Sequence, residues 1–576
     1  MPAHYDLRTW LTLGLAATLL TLSAACPRRD PPPGDPTTPQ IEPTASTETV
    51  DLIAMGRVLG TIAPCGCTTE PLGGLSYAFG AIEARSSASG RVIVEPGSFL
   101  FPDPAGPEAP TDEASWAQAE ERARLLQKRF TALGDRLVSG IGPTDLSSPG
   151  GAGALTALPM PRAIANAADP AALGATTHRL VPAAGGTIGV TAVVDPEAPG
   201  AATLGALKPI EAALPEVIAA MRSAGADLVV VQVLAKRPRV EAIVKAVPGI
   251  DVAIVDLTEG EKARVGAPPT HVGDTWIVEP GEQVQTVTHL RLTIDRAAVP
   301  SGIPGPSAWT VVPPRSQQEA ELARLDERIR KFRGDPTADA AFLARLEAER
   351  DGIKATLEAG PASAPTTATI EQVKITCKLP ADDTAAAALK AYDAWVAEQN
   401  MQRFAGVTAP PADPGKAHYV GVDVCEGCHD DAVKFWRTTR HAGAYTTLVD
   451  VNKQYDVSCV GCHVTGFRQP GGSEVVENEG LQAVQCEQCH GPGSLHAADP
   501  ELLGKPQGIT RQAPIQICMG CHTPEHSDTF EYNAYMRDVL GEGHGAQTRL
   551  SLGPGATGRE LREAGFAKAG GPCTKK

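Results

Sequence analysis

Aromatic side chains are scarce in this chain: Phe, Trp and Tyr together make up 4% of its 576 residues. Its cores must come mainly from aliphatic residues and alanine, within an apolar fraction of 42% that suffices for three or four domains. Positive charge is also in deficit, with 51 Lys and Arg against 67 Asp and Glu and a net charge of −16. This excludes nucleic acid as a partner, because phosphate backbones are held by an excess of Lys and Arg. Beyond the N-terminus no run of eighteen apolar residues occurs, which excludes an ordinary transmembrane helix in the mature chain. Histidine (13) and methionine (7) are few, so clustering of either is informative.

The N-terminus has the make-up of an export signal: Arg8, the apolar run Leu11 to Leu22, then small residues ending at Cys26. LSAAC resembles a bacterial lipobox, which implies a lipid anchor on Cys26; plain secretion is the alternative. Residues 1–26 are thus expected to be a signal peptide, and the Pro- and Thr-rich residues 27–47 a tether.

Histidine clusters at the other end. CEGCH (Cys425 to His429), CVGCH (Cys459 to His463), CEQCH (Cys486 to His490) and CMGCH (Cys518 to His522) repeat one pattern four times. Two thiols separated by two residues can add to both vinyl groups of one porphyrin, and the next imidazole then reaches the iron, so each motif is a c-type haem attachment site. Paired C-x-x-C motifs also build zinc ribbons. Histidine is only about one residue in 44 here, however, and its place after all four pairs selects haem.

Four covalently bound haem c groups follow, attached through Cys425, Cys428, Cys459, Cys462, Cys486, Cys489, Cys518 and Cys521, with His429, His463, His490 and His522 as proximal iron ligands. The proximal histidines are 34, 27 and 32 residues apart. That is too little chain for a separate core around each haem, so the haems should pack closely and form much of the core themselves. Covalent haem attachment belongs to the oxidising side of a membrane, in accord with an export signal and an extracytoplasmic location in the bacterial periplasm or at the outer membrane. Haem propionates would add to the acidity, which favours a basic redox partner.

Five further histidines lie in residues 417–576: His418, His441, His496, His526 and His544. Such a surplus suits bis-histidine ligation of low-potential haems. CEGCHDDAVKFWRTTRHAGAYTTL (Cys425 to Leu448) and CEQCHGPGSLH (Cys486 to His496) resemble the tetrahaem cytochrome c family whose best-known member accepts electrons from hydroxylamine oxidation. The resemblance covers about 140 residues. It implies distal ligands at His441 and His496; His544 is a third distal candidate, ahead of His418 and His526.

Upstream, β-branched runs alternate with Ala-rich helical stretches, the pattern of a layered α/β domain over residues 48–300. The predicted strands are Val50 to Met55, Arg91 to Glu95, Thr187 to Val194, Asp227 to Val233, Asp251 to Val255 and Thr275 to Val278. Helices are predicted over Glu113 to Leu133 and Ile210 to Ala224. Residues 315–359 read as a helical hairpin, through Leu322, Leu325, Ile329 and Phe332, then Leu343, Leu346, Ile353 and Leu357; a spacer or a dimerisation arm is expected. Residues 360–416 read as a connecting segment with one helix, and 417–576 as a mostly helical and loop haem domain.

Segments such as VEPGSFLFPD (Val94 to Asp103), GIGPTDLSSPGG (Gly140 to Gly151) and VPGIDVAIVDLTEG (Val247 to Gly260) resemble the calcineurin-like metallophosphoesterase domain of extracellular 5'-nucleotidases. The resemblance implies a sandwich fold and a two-metal site. Yet PGSF, GPTD and VDLTEG stand where that family carries metal ligands, and only His178, His271 and His289 occur in the domain. Hydrolysis should be lost, with Asp103 and Asp145 the surviving candidate ligands. PCGCTTEPLGGL (Pro64 to Leu75) resembles the C-G-C segment of exported nucleotidase-like proteins, some fused to multihaem tails. Cys65 and Cys67 could bind a soft metal, act as redox thiols, or form a disulfide together or with Cys377.

Three functions fit: a tetrahaem electron carrier with a docking or ligand-binding domain; a redox enzyme acting on a small nitrogen or sulfur compound at an open haem face or at Cys65 and Cys67; and a binding module with a cytochrome tail.

Overall fold

The computed structural model describes residues 47–64, 68–106, 108–257, 267–334, 339–359, 364–499 and 507–573. The expected signal peptide with Cys26, nearly all of the expected tether, and the thiols Cys65 and Cys67 lie outside them. Among the described residues no helix is long and apolar enough to cross a membrane.

Two sheets form the first domain. In the larger, strand Thr47–Ala54 runs antiparallel to Thr286–Asp295 on one side and parallel to Arg91–Glu95 on the other. The smaller is built around the parallel strands Gly186–Val194, Leu228–Leu234 and Val252–Asp256. Leu52, Val92, Val94 and Leu292 of one sheet meet Ile188, Val190, Val230 and Ile254 of the other in a common buried cluster. Helices Leu75–Arg85 and Glu113–Thr131 cover the far face of the larger sheet, and Ile210–Ser223 and Arg237–Ala246 that of the smaller. The result is the layered α/β sandwich expected from the sequence. Leu228–Leu234 is buried at every residue, as its unbroken apolar run requires of a strand covered on both faces.

The sandwich extends further along the chain than expected. Thr366–Lys374, within the segment read as a connector, pairs antiparallel with Thr286–Asp295 along nine residues. Helix Asp383–Arg403 then contributes Ala385, Tyr392 and Val396 to the core under the larger sheet. The strand alternates Thr366, Ala368 and Ile370 inward with polar residues outward, a short signal that has meaning only once its partner strand is known. Between these pieces lies the hairpin of helices Arg315–Arg333 and Ala340–Ala359, closed by Leu325, Ile329 and Leu346 with Phe332, Leu343 and Ile353 around them. The Arg333–Glu347 ion pair joins the two helices at 2.5 Å.

The C-terminal domain consists of short helices and loops, and its apolar cluster is small: Val460, Val464 and Val475, with Tyr445, Tyr455 and Phe467 against them. Polar pairs seat it on the sandwich. Gln118 Nε2 donates to Asp456 Oδ1 at 2.7 Å, and Asn400 Nδ2 donates to Gln118 Oε1 at 2.9 Å and to the Tyr455 carbonyl at 2.8 Å. Arg468 pairs with Asp112, the N-cap of helix Glu113–Thr131, at 2.7 Å. A disulfide joins Cys377 to Cys573, so Cys377 is not a partner of the C-G-C thiols.

Candidate haem and buried-acid sites

Each CxxCH motif begins on helical backbone: Val422–Trp436 carries the first, and the short turns Val457–Val460, Cys486–His490 and Ile515–Met519 open the second, form the third and lead into the fourth. One helical turn sets two cysteines three residues apart on the same side, as addition to one porphyrin requires. In the first motif the helix kinks at His429, whose φ and ψ are −120° and 39°, so the imidazole leaves the helical path directly after the second thiol.

Three of the four histidines predicted to be proximal ligands are oriented from behind. His463 Nδ1 is 2.7 Å from the Ala444 carbonyl, and His490 Nδ1 is 2.7 Å from the Thr510 carbonyl. His522 Nδ1 lies 3.0 Å from Ser527 Oγ. A hydrogen bond of this kind fixes the tautomer and leaves Nε2 free for a metal.

Facing them are histidines from distant parts of the chain. The rings of His429 and His496 have centroids 6.2 Å apart and planes 21° from parallel; those of His441 and His522 are also 6.2 Å apart. Metal–nitrogen bonds of about 2.0–2.1 Å, plus the about 1.1 Å from nitrogen to ring centre, put two trans imidazoles on one metal at roughly 6.3 Å. Both separations match that spacing. His544 interacts electrostatically with both His490 and His429. Burial lowers the pKa of His441 and His544, and burial followed by His441 and Arg562 brings that of His522 down to about 4. Burial thus favours the neutral imidazole at all three, the form that binds iron. The buried Nδ1 atoms of His496, His544 and His418 have no hydrogen-bond partner among the described residues. His526 lies exposed in a turn on Thr523. No histidine ring contact with His463 occurs among the described residues.

The motifs do not neighbour one another in chain order. The Cys425 thiol interacts with that of Cys486, and the Cys462 thiol with that of Cys521. Cys489 and Cys518 interact electrostatically. The first motif thus adjoins the third, the third the fourth, and the fourth the second. The exposed Cys428 and the partly buried Cys459 complete the eight thiols, none of them in a disulfide.

In the sandwich, the segments standing where metal ligands were expected are tied to each other. Asp145 accepts backbone N–H bonds from Ser98 (3.0 Å), Phe99 (2.8 Å), Leu100 (2.8 Å) and Gly142 (2.9 Å). Gly97, with φ +116°, lets the two loops touch; a Cβ there would lie 2.5 Å from the Gly142 nitrogen. Asp103 accepts from Arg57 at 3.2 Å. His289 is bonded to Asp51 within the sheet at 2.7 Å, His271 stacks on Trp276, and His178 bonds Thr177. The structure does not bring these histidines to Asp103 or Asp145, and among the described residues no group of three His, Cys, Asp or Glu side chains is arranged to hold a metal.

Sequence reasoning missed a second set of residues at the same strand ends. Glu95 is wholly buried and accepts from Ser139 Oγ at 2.8 Å; burial, then Asp145 and Asp256, hold its pKa far above the usual carboxylate range. Asp256 and Gln232, 1% and 0% exposed, have no partner for either side-chain polar atom among the described residues. Single acids closing apolar strands give no pattern until the strands are laid side by side.

Residues 424–491 match the family model described as cytochrome c554 and c-prime. Cytochrome c-554 of Nitrosomonas europaea is 35% identical over 105 residues, covering 16% of this chain and 45% of that protein; the chain thus spans less than half the length of this curated relative. Among solved structures, the 5'-nucleotidase precursor of Thermus thermophilus aligns over 74% of this chain and 71% of its own at 13% identity, with a TM-score of 0.38. The NAD nucleotidase of Haemophilus influenzae aligns over 43% and 53% at 11% identity, with a TM-score of 0.34. Through residues 424–491, joined to the imidazole pairs, the C-terminal domain is similar to the cytochrome c554 and c-prime family, whose covalently bound cofactor is haem c.

Proposed function

We propose that this chain is an exported tetrahaem c-type cytochrome that relays electrons. The observation that carries the reading is the 6.2 Å separation of His429 from His496 and of His441 from His522, the spacing of imidazoles sharing one iron. Bound haem supplies reversible one-electron chemistry. The chain's own residues fix the axial imidazoles, keep them neutral and hold neighbouring sites close. Cys26 anchors the protein to a membrane, a basic redox protein docks on its acidic surface, and the helical hairpin is available for dimerisation. The sandwich serves docking or ligand binding without hydrolysis, since Asp103 and Asp145 are occupied by Arg57 and by backbone N–H groups. A pyridine haemochrome assay is expected to give four haems per chain, and fewer would refute the reading. Turnover of a phosphodiester with added manganese would refute the inactive sandwich.

A second reading concerns the second motif. Its His463 has the orienting bond to Ala444 but no facing histidine ring among the described residues, and Tyr445, Tyr455 and Phe467 pack around the neighbouring valines. A five-coordinate iron there would bind nitrite or hydroxylamine. A high-spin band that shifts on adding either ligand supports this reading; an entirely low-spin spectrum removes it.

A further inference from the structure

We infer that the sandwich domain sets the axial bond of the fourth haem, through a clamp of Thr69 on Asp528. The inference rests on the haem reading above and assigns Thr69, Asp528 and Ser527 as positioning residues. The other two oriented proximal histidines bond backbone carbonyls, whereas His522 bonds a side chain, Ser527 Oγ, at 3.0 Å. Ser527 is 6% exposed, and its hydroxyl donates to the Tyr535 hydroxyl at 3.3 Å, which leaves its lone pair to accept from His522 Nδ1–H. Tyr535 is held in turn by Thr529 Oγ1 at 2.8 Å, and Phe530 stacks on the His522 ring at 4.8 Å with planes 9° apart. The loop from Ser527 to Phe530 is therefore the seat of the fourth axial imidazole.

The next residue of that loop is gripped from 459 positions away. The Asp528 carboxylate accepts the backbone N–H of Thr69 at 3.0 and 3.1 Å and its hydroxyl at 2.6 Å. Thr69 is 5% exposed, and Gly565 packs so closely on it that a Cβ would come within 2.8 Å of Thr69 Cγ2. The same junction holds the isolated bridge between Leu72 and Thr376, the Cys377–Cys573 disulfide, and a bond from Lys378 Nζ to the Ala569 carbonyl. Displacement of Asp528 would carry the adjoining Ser527 away from His522. An Nδ1–H bond makes an axial imidazole more basic and favours ferric iron, so loosening the clamp should raise the potential of one haem and leave three unchanged.

The test is spectroelectrochemistry of the full-length holoprotein as wild type, Thr69→Val, Asp528→Ala, Ser527→Ala and Ser527→Thr, with His441→Ala marking which transition belongs to the fourth haem. The expected result is a positive shift of that one transition in the first three variants and a near-normal value in Ser527→Thr. Four unchanged transitions in Thr69→Val and Ser527→Ala, with four haems still bound, overturn the clamp and leave the relay standing; loss of haem in the wild type overturns the relay itself. Should Asp528→Ala fail to fold, Ser527→Ala decides alone, because it removes only the terminal bond.

Discussion

His496 lies 67 residues beyond His429, and His441 lies 81 before His522, so nothing local in the chain states that they are partners. The structure places each pair at iron-bridging distance. Replacing His496 with Ala should turn one low-spin haem high-spin with four haems retained, as read by the ferric absorption spectrum. At the buried acids the expectation concerns pH. Burial raises the pKa of Asp256 far above its ordinary value, with Arg57 opposing and Asp145 and Glu282 adding to the rise. The folded state then binds a proton that the unfolded chain has already released, so stability falls as pH rises above the unfolded value of about 4. Asp256→Asn removes that titration; its melting temperature should exceed that of wild type at pH 8 and depend less on pH between 5 and 8. A lower melting temperature at pH 8 would mean that the carboxylate is needed ionised.

At the scale of elements, periodicity located what it could. Strands Arg91–Glu95 and Thr275–Val278 have the predicted bounds, and the hairpin helices close on the predicted Leu325, Ile329 and Leu346. Thr366–Lys374 was not legible, because half-apolar alternation over nine residues reads as a strand only beside the long strand Thr286–Asp295. The CxxCH motifs were fully legible, since haem attachment is a covalent rule of spacing; the pairing of distal histidines was not, since it is a tertiary property. The seat of the haem domain was likewise invisible: Gln118 lies in a helix of the sandwich and its partners Asp456 and Asn400 lie more than 280 residues away. Gln118→Ala removes one bond from each of these buried groups, leaving Asp456 its bonds from Ser458 and Asn400 its bond to the Tyr455 carbonyl. Loss of such bonds costs about 1–3 kcal/mol, and denaturant unfolding should register it without any change in haem content.

For the molecule as a whole, the order of adjacency matters more than the order of the motifs. With the first motif beside the third, the third beside the fourth and the fourth beside the second, the proposed relay would carry electrons entering at either end through haems at the third and fourth motifs. The fourth motif is also the one whose following loop is held by the sandwich. On the proposed relay, the sandwich would thereby have a place in the redox path, and the second motif, at the far end, is where a small ligand or a partner protein would meet the bound haems. The most direct test of this account is quantitative electron paramagnetic resonance of the oxidised holoprotein. At least two low-spin ferric haems per chain are expected, at His429 and His522, with the remaining signals reporting the state of the irons on His490 and His463. Fewer than two low-spin haems would contradict the imidazole pairing on which the relay rests.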